Sequence, residues 1–120
     1  MPKLAQPESL IQQAIVKYLR GKGYLVAHVP NGGKMPGTVR QKMQRGARLK
    51  REGLLAGFPD LLIYGSKGRV GHIEVKAPKG SQQPSQKEVQ AMLESLGQSY
   101  VICRSVADVE FALTDKWGWE

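Results

Sequence analysis

The chain is predicted to fold as an α/β protein in which a mixed central β-sheet is flanked by helices. Three observations carry this. Helical and strand patterns alternate along 120 residues in the order helix, strand, helix, two strands, helix, strand, helix. The two adjacent strands, residues 61–64 and 70–76, are separated by Gly65-Ser66-Lys67-Gly68-Arg69, which reads as a hairpin turn. The strand–helix–strand unit from Ile73 to Cys103 requires a parallel pair joined by a right-handed crossover. A chain of this length is expected to form one domain, residues 1–120, with its core between about 8 and 113.

The elements follow in order. Residues 8–22 carry Leu10, Ile11, Ala14, Ile15, Tyr18 and Leu19 at helical spacing, with Pro7 in the first turn and Gly21 and Gly23 at the end. Tyr24 to Val29 is a short strand, and Pro30-Asn31-Gly32-Gly33 breaks it. Thr38 to Glu52 is helical, although Gly46 weakens it. Leu61-Leu62-Ile63-Tyr64 and Val70 to Lys76 are the hairpin strands, and Pro78-Lys79-Gly80-Ser81 ends them. Ser85 and Glu88 fit a capping box that opens a helix with an apolar stripe of Val89, Met92, Leu93 and Leu96, stopped by Gly97. Tyr100 to Arg104 is the last strand. Ser105 and Asp108 then start a short helix through Val106, Val109, Ala112 and Leu113.

Composition narrows the function. There is no apolar run long enough to span a bilayer, and the amino terminus lacks the apolar stretch of a signal peptide. Cys103 is the only cysteine, so neither an internal disulfide nor a cysteine-rich zinc site is available; it reads as a buried structural thiol in a reduced, intracellular setting. Lys and Arg number 18 against 10 Asp and Glu, a net charge of +8. Residues 34–51 hold Lys34, Arg40, Lys42, Arg45, Arg48, Lys50 and Arg51 with no acid among them. Such a block suits a polyanion, through phosphate neutralisation and counterion release, or else forms a solvated helix face. With few apolar residues and no aromatic anchors beside it, a membrane surface is a poor match.

The most informative pattern is Pro59-Asp60 at the entry to one hairpin strand and Glu74-Val75-Lys76 on the other. Side chains two apart on a strand share a face, so Glu74 and Lys76 point one way and Val75 enters the core. Folding the hairpin brings Asp60 beside Glu74, and two carboxylates on one face repel unless a cation lies between them. A hard cation on Asp60, Glu74 and the backbone carbonyl of Val75 would activate water against a phosphodiester. Lys76 would hold the attacking water or counter the charge on phosphate. In the plain structural alternative, Asp60 caps a turn while Glu74 and Lys76 form a cross-strand charge pattern.

Together these residues resemble the PD-(D/E)XK nuclease core. The fuller set is similar to the short stand-alone VRR-NUC proteins of phages and bacteria: Glu8 with Gln12, Asn31-Gly32-Gly33, Gly53, Gly57-Phe58-Pro59-Asp60, Ile73-Glu74-Val75-Lys76-Ala77, Ser85-Gln86, Gly97 and Arg104-Ser105. The resemblance implies a PD-(D/E)XK restriction-endonuclease-like fold and a Mg2+- or Mn2+-dependent endodeoxyribonuclease. Asp60 and Glu74 take the metal-ligand positions and Lys76 the catalytic lysine position. The resemblance also places Glu8 near the metal and Gln86 near the site. Glu8 is equally suited to a helix first turn. Asn31 serves either a tight turn or a phosphate contact. The resemblance further implies a homodimer acting on branched DNA such as four-way junctions, in the cytoplasm of a bacterial or phage-infected cell. The alternatives are a non-catalytic basic DNA-binding module, or an exonuclease or restriction-type nuclease on the same core. No role falls to His28 or His72, and Trp117 and Trp119 are expected to pack on the core or a partner subunit.

Overall fold

The computed structural model describes residues 7–30 and 37–120. Asn31, with the turn Asn31-Gly32-Gly33, and Lys34 lie outside the described residues. The elements are α1 (Pro7–Gly21), β1 (Leu25–His28), α2 (Val39–Arg51), β2 (Leu61–Tyr64), β3 (Val70–Val75), α3 (Pro84–Ser95), β4 (Ser99–Cys103) and α4 (Val106–Phe111), which continues as a π-helical turn, Ala112–Lys116. The sheet order is β1-β2-β3-β4. The first two pairings are antiparallel, with Val26 opposite Ile63 and Leu61 opposite Ile73. β3 and β4 are parallel, with Glu74 opposite Ile102 and Val75 opposite Cys103. The predicted mixed sheet and its crossover through α3 are present.

Period-two alternation on β3 divides the molecule into two unlike layers. Gly71, Ile73 and Val75 face α1 and α4. There Ile15, Leu19, Val26, Leu61, Ile63, Cys103, Val109 and Leu113 complete the apolar core. Cys103 is fully buried, and burial pushes its thiol up to about 12, with Asp108 adding to the shift. It is inert packing, as its apolar setting implied. His72 and Glu74 face the other way, into the layer formed with α3.

The last residues close the core. Trp117 and Trp119 pack with ring centroids 4.8 Å apart and planes tilted by 40°, and lie over Gly71. A Cβ at Gly71 would come within 2.7 Å of the Trp117 ring. Gly71→Ala is therefore expected to displace the indole and cost about 1–3 kcal/mol in urea unfolding, the usual range for an overpacked core. Glu120 ties this segment down. It accepts a hydrogen bond from Tyr24 at 2.6 Å and pairs with Lys22 at 2.8 Å.

Several boundaries and faces differ from the sequence reading. The α3 cap is Gln83, not Ser85. Pro84 supplies the first helical residue, where its missing N–H costs nothing, so the capping box is Gln83 with Gln86. The apolar stripe of α3 is largely uncovered: Val89 is buried, whereas Met92 is 48% and Leu96 is 75% exposed. Leu10 and Ala14 of α1 are likewise exposed, while Ile15 and Leu19 carry its packing. β1 is four residues long, because Tyr24 turns toward Glu120 and Trp119 instead of extending the ladder.

Candidate active site

Asp60, Glu74, Lys76 and Gln86 meet at the end of the hairpin nearest the start of α3. Pro59 is buried and delivers Asp60 directly before β2. The Asp60 Oδ2 atom accepts the Val75 backbone N–H at 2.8 Å, so the carboxylate splints the neighbouring strand. Its backbone carbonyl accepts from Val29 N at 2.8 Å, which anchors the same residue to the end of β1. Glu74 is 1% exposed and Lys76 is 7% exposed. Lys76 Nζ lies 3.8 Å from Glu74 Oε2.

Gln86 joins the two. Its Oε1 accepts from Lys76 Nζ at 2.8 Å and from the Gln83 backbone N–H at 2.7 Å, while its Nε2 donates to Glu74 Oε2 at 3.0 Å. One amide thus caps a helix and fixes the relative positions of an acid and a base. Arg104 secures the strand exit by donating to the carbonyls of Ala77 and Gly80, both at 2.7 Å.

The electrostatics set Glu74 apart. Burial, then the neighbouring charge of the Asp60 carboxylate, push its carboxyl up to about 8, against the opposing charge of Lys76. Its Oε1 atom is buried with no hydrogen-bond partner among the described residues. An orphaned carboxylate oxygen beside a second carboxylate is the arrangement a divalent cation satisfies. The donors are all oxygen, which fits Mg2+ or Mn2+. Among the described residues no group of three or more His, Cys, Asp and Glu could hold a metal. Glu8 lies in the exposed first turn of α1 and reaches Glu74 only as the weakest of its charge influences.

Gly57 holds the two halves of the site together. It has φ of 84°, and an added Cβ would run into the Ser85 carbonyl at the start of α3. Gly57→Ala is expected to destabilise the fold by about 2–4 kcal/mol in urea unfolding, from left-handed strain plus a backbone clash. It should also part Asp60 from Gln86 and so lower activity.

Of the basic block, Arg40, Lys42, Arg45, Arg48, Lys50 and Arg51 lie on α2, which has no buried residue. Three neighbours of the site had no assigned role in the sequence. His28 Nδ1 is 3.0 Å from the Asp60 carbonyl and 3.1 Å from Gln12 Nε2. Tyr100 is buried against the site layer; burial, then the charge of Glu74, push its hydroxyl up to about 12. His72 is buried edge-on to Phe58 and bonds the Ser99 carbonyl, a packing role. The Gln12-to-His28 contact joins α1 to β1, and no local pattern announces it.

The VRR-NUC domain model matches residues 6–107. A solved structure described as a VRR_NUC domain has a TM-score of 0.68 at 19% identity, covering 94% of this chain and 100% of that one. A second, described as a VRR_NUC domain protein, has a TM-score of 0.66 at 22% identity, covering 92% and 88%. At such identities the likeness is one of fold: a mixed sheet flanked by helices, the PD-(D/E)XK-like architecture. No curated protein matches the chain. With the family model spanning most of its length, the chain belongs to the VRR-NUC domain family, a membership that supports a nuclease-like function.

Proposed function

We propose that the protein is a Mg2+- or Mn2+-dependent endonuclease that hydrolyses phosphodiester bonds in DNA, selects branched substrates such as four-way junctions, and works as a homodimer. The observation that carries the catalytic reading is the buried, unpartnered Glu74 Oε1 beside Asp60, with Lys76 held on the same side by Gln86. Asp60, Glu74 and the Val75 carbonyl would hold the cation. When bound, it supplies Lewis-acid stabilisation of the phosphate and lowers the pKa of a water.

The chain's own groups do the remaining work. Hydrolysis forms a bond from water oxygen to phosphorus and breaks the bond from phosphorus to the leaving sugar oxygen. Lys76 Nζ orients the attacking water or offsets charge on the phosphate oxygens. Gln86 keeps that ammonium from collapsing onto Glu74, because its Oε1 takes Lys76 at a shorter distance than the carboxylate does. The Asp60 bond to Val75 N keeps the strand from shifting under the repulsion of paired carboxylates. The choice of branched DNA and of a dimer rests on family resemblance, and a two-fold enzyme suits a two-fold substrate. No helix among the described residues is long and apolar enough to cross a membrane.

The test is incubation with an end-labelled four-way junction, a matched duplex and a single strand, in Mg2+, Mn2+ or EDTA. Metal-dependent incisions placed symmetrically across the junction are expected. Cutting of duplex or ends alone would discard junction selectivity, and binding without cutting under any metal would discard the nuclease.

A further inference from the structure

Helix α2 is unlike the other helices. None of its residues is buried, and it packs no more than marginally on any other element among the described residues. At 100° per residue, Arg40, Gln41, Gln44, Arg45, Arg48 and Arg51 fall within about 140° of its circumference. Gln41, Gln44, Arg45, Arg48 and Arg51 line an open groove along that face. Val39, Met43, Gly46 and Lys50 occupy the opposite side.

Local contacts close both ends of the helix. Thr38 accepts from Gln41 N at 3.1 Å and Gln41 Oε1 accepts from Thr38 N at 2.9 Å, a complete capping box. At the other end Arg48 and Glu52 pair at 3.9 Å, both largely exposed. Against this stand Gly46, like charges three residues apart at Arg45, Arg48 and Arg51, and a length of 13 residues, which is marginal for a helix lacking tertiary support. A negatively charged partner would convert that repulsion into attraction.

We infer that the arginine face of α2 is a phosphate clamp, separate from the catalytic group, that grips the DNA backbone beside the cut and is firmed into helix by it. The inference rests on the nucleic-acid reading of the proposed function and adds where the backbone is held. From Arg40 to Arg51 the face rises about 16 Å, the axial span of about five phosphates of one strand. The nine residue steps from Arg51 to Asp60 limit their separation to about 30 Å, within about one duplex turn. Charge complementarity selects a polyanion: α2 has no acid, and its last turn holds Arg48, Lys50 and Arg51.

The test compares wild type with the triple variant Arg45→Ala, Arg48→Ala, Arg51→Ala. Binding of a 30-base-pair duplex and of a junction is read by fluorescence anisotropy in EDTA between 50 and 200 mM salt. Loss of three phosphate contacts should reduce the salt slope by about 2.7 and weaken binding at least about tenfold. The triple lysine variant keeps the charge and should keep the slope. Nothing lies within 4 Å of a Cβ added at Gly46, so Gly46→Ala should raise helicity and tighten binding by up to about fivefold.

An unchanged salt slope in the alanine variant would overturn the inference. So would a triple lysine variant that loses as much of the slope as the alanine variant, because the charge of the face would then not be what holds the phosphates. Binding in EDTA requires no cleavage. A protein that never cuts DNA but loses salt dependence in the variant would keep the clamp and refute the nuclease.

Discussion

Lys76→Ala is expected to lower the single-turnover cleavage rate by about 10²- to 10⁴-fold, the range for removing a positioned catalytic group. The geometry ties this loss to chemistry. Lys76 Nζ meets one side-chain acceptor at 2.8 Å, Gln86 Oε1, and stands farther off, at 3.8 Å, from Glu74. It is therefore placed by the amide instead of being spent in a tight ion pair. The proposed cation ligands, Asp60 and Glu74, remain in the variant. Mn2+ affinity at pH 8 should consequently change far less than the rate. A comparable collapse of both would mean that Lys76 maintains the site's structure only. Lys76→Arg should recover little, since a planar fork does not reproduce a point charge.

Glu74→Gln is expected to abolish cleavage and to stabilise the metal-free protein at high pH. Glu74 has its carboxyl pushed up to about 8, from an ordinary value of 4.5. A carboxyl whose folded pKa is raised binds more protons in the native state than in the unfolded one between those values. Its contribution to stability is complete below about pH 4.5 and is lost as pH rises toward 8, at up to about 1.4 kcal/mol per pH unit. The amide cannot ionise, so the variant escapes that loss. In EDTA its advantage over wild type should grow as pH rises from about 4.5 toward 8. Magnesium should reverse the order, raising the wild-type Tm more at pH 8 than at pH 6 and leaving the variant unmoved. A Tm gap that does not depend on pH would show that Glu74 carries no raised pKa.

The sheet was legible because its signals are local. Alternation over residues 61–64 and 70–76 around a glycine turn defines the hairpin, and its register follows from which residues are apolar. Asp60, Glu74 and Lys76 were legible for the same reason: the strand period places Glu74 and Lys76 together, and the hairpin returns Asp60 to them. What could not be read depends on contacts across the fold. The resemblance put Gln86 near the site, but its bridge between Glu74 and Lys76 exists only once α3 lies on the sheet. Gln83 is an uncommon cap, and Pro84 moved the helix start ahead of the more usual Ser85. Leu96 carries an apolar signature yet stands exposed, because periodicity records a stripe and not what covers it. His28 beside the Asp60 carbonyl joins β1 to the start of β2, a pairing that no pattern within either segment encodes.

Asp60 and Glu74 are proposed to form one cation-binding cradle. Its most direct test is calorimetric titration of Mn2+ at pH 8 into wild type, Asp60→Asn and Glu74→Gln, without DNA. Saturable binding by wild type and at least about tenfold weaker binding by each variant are expected, since each variant loses one of two anionic ligands. Equal affinity in all three proteins would contradict it.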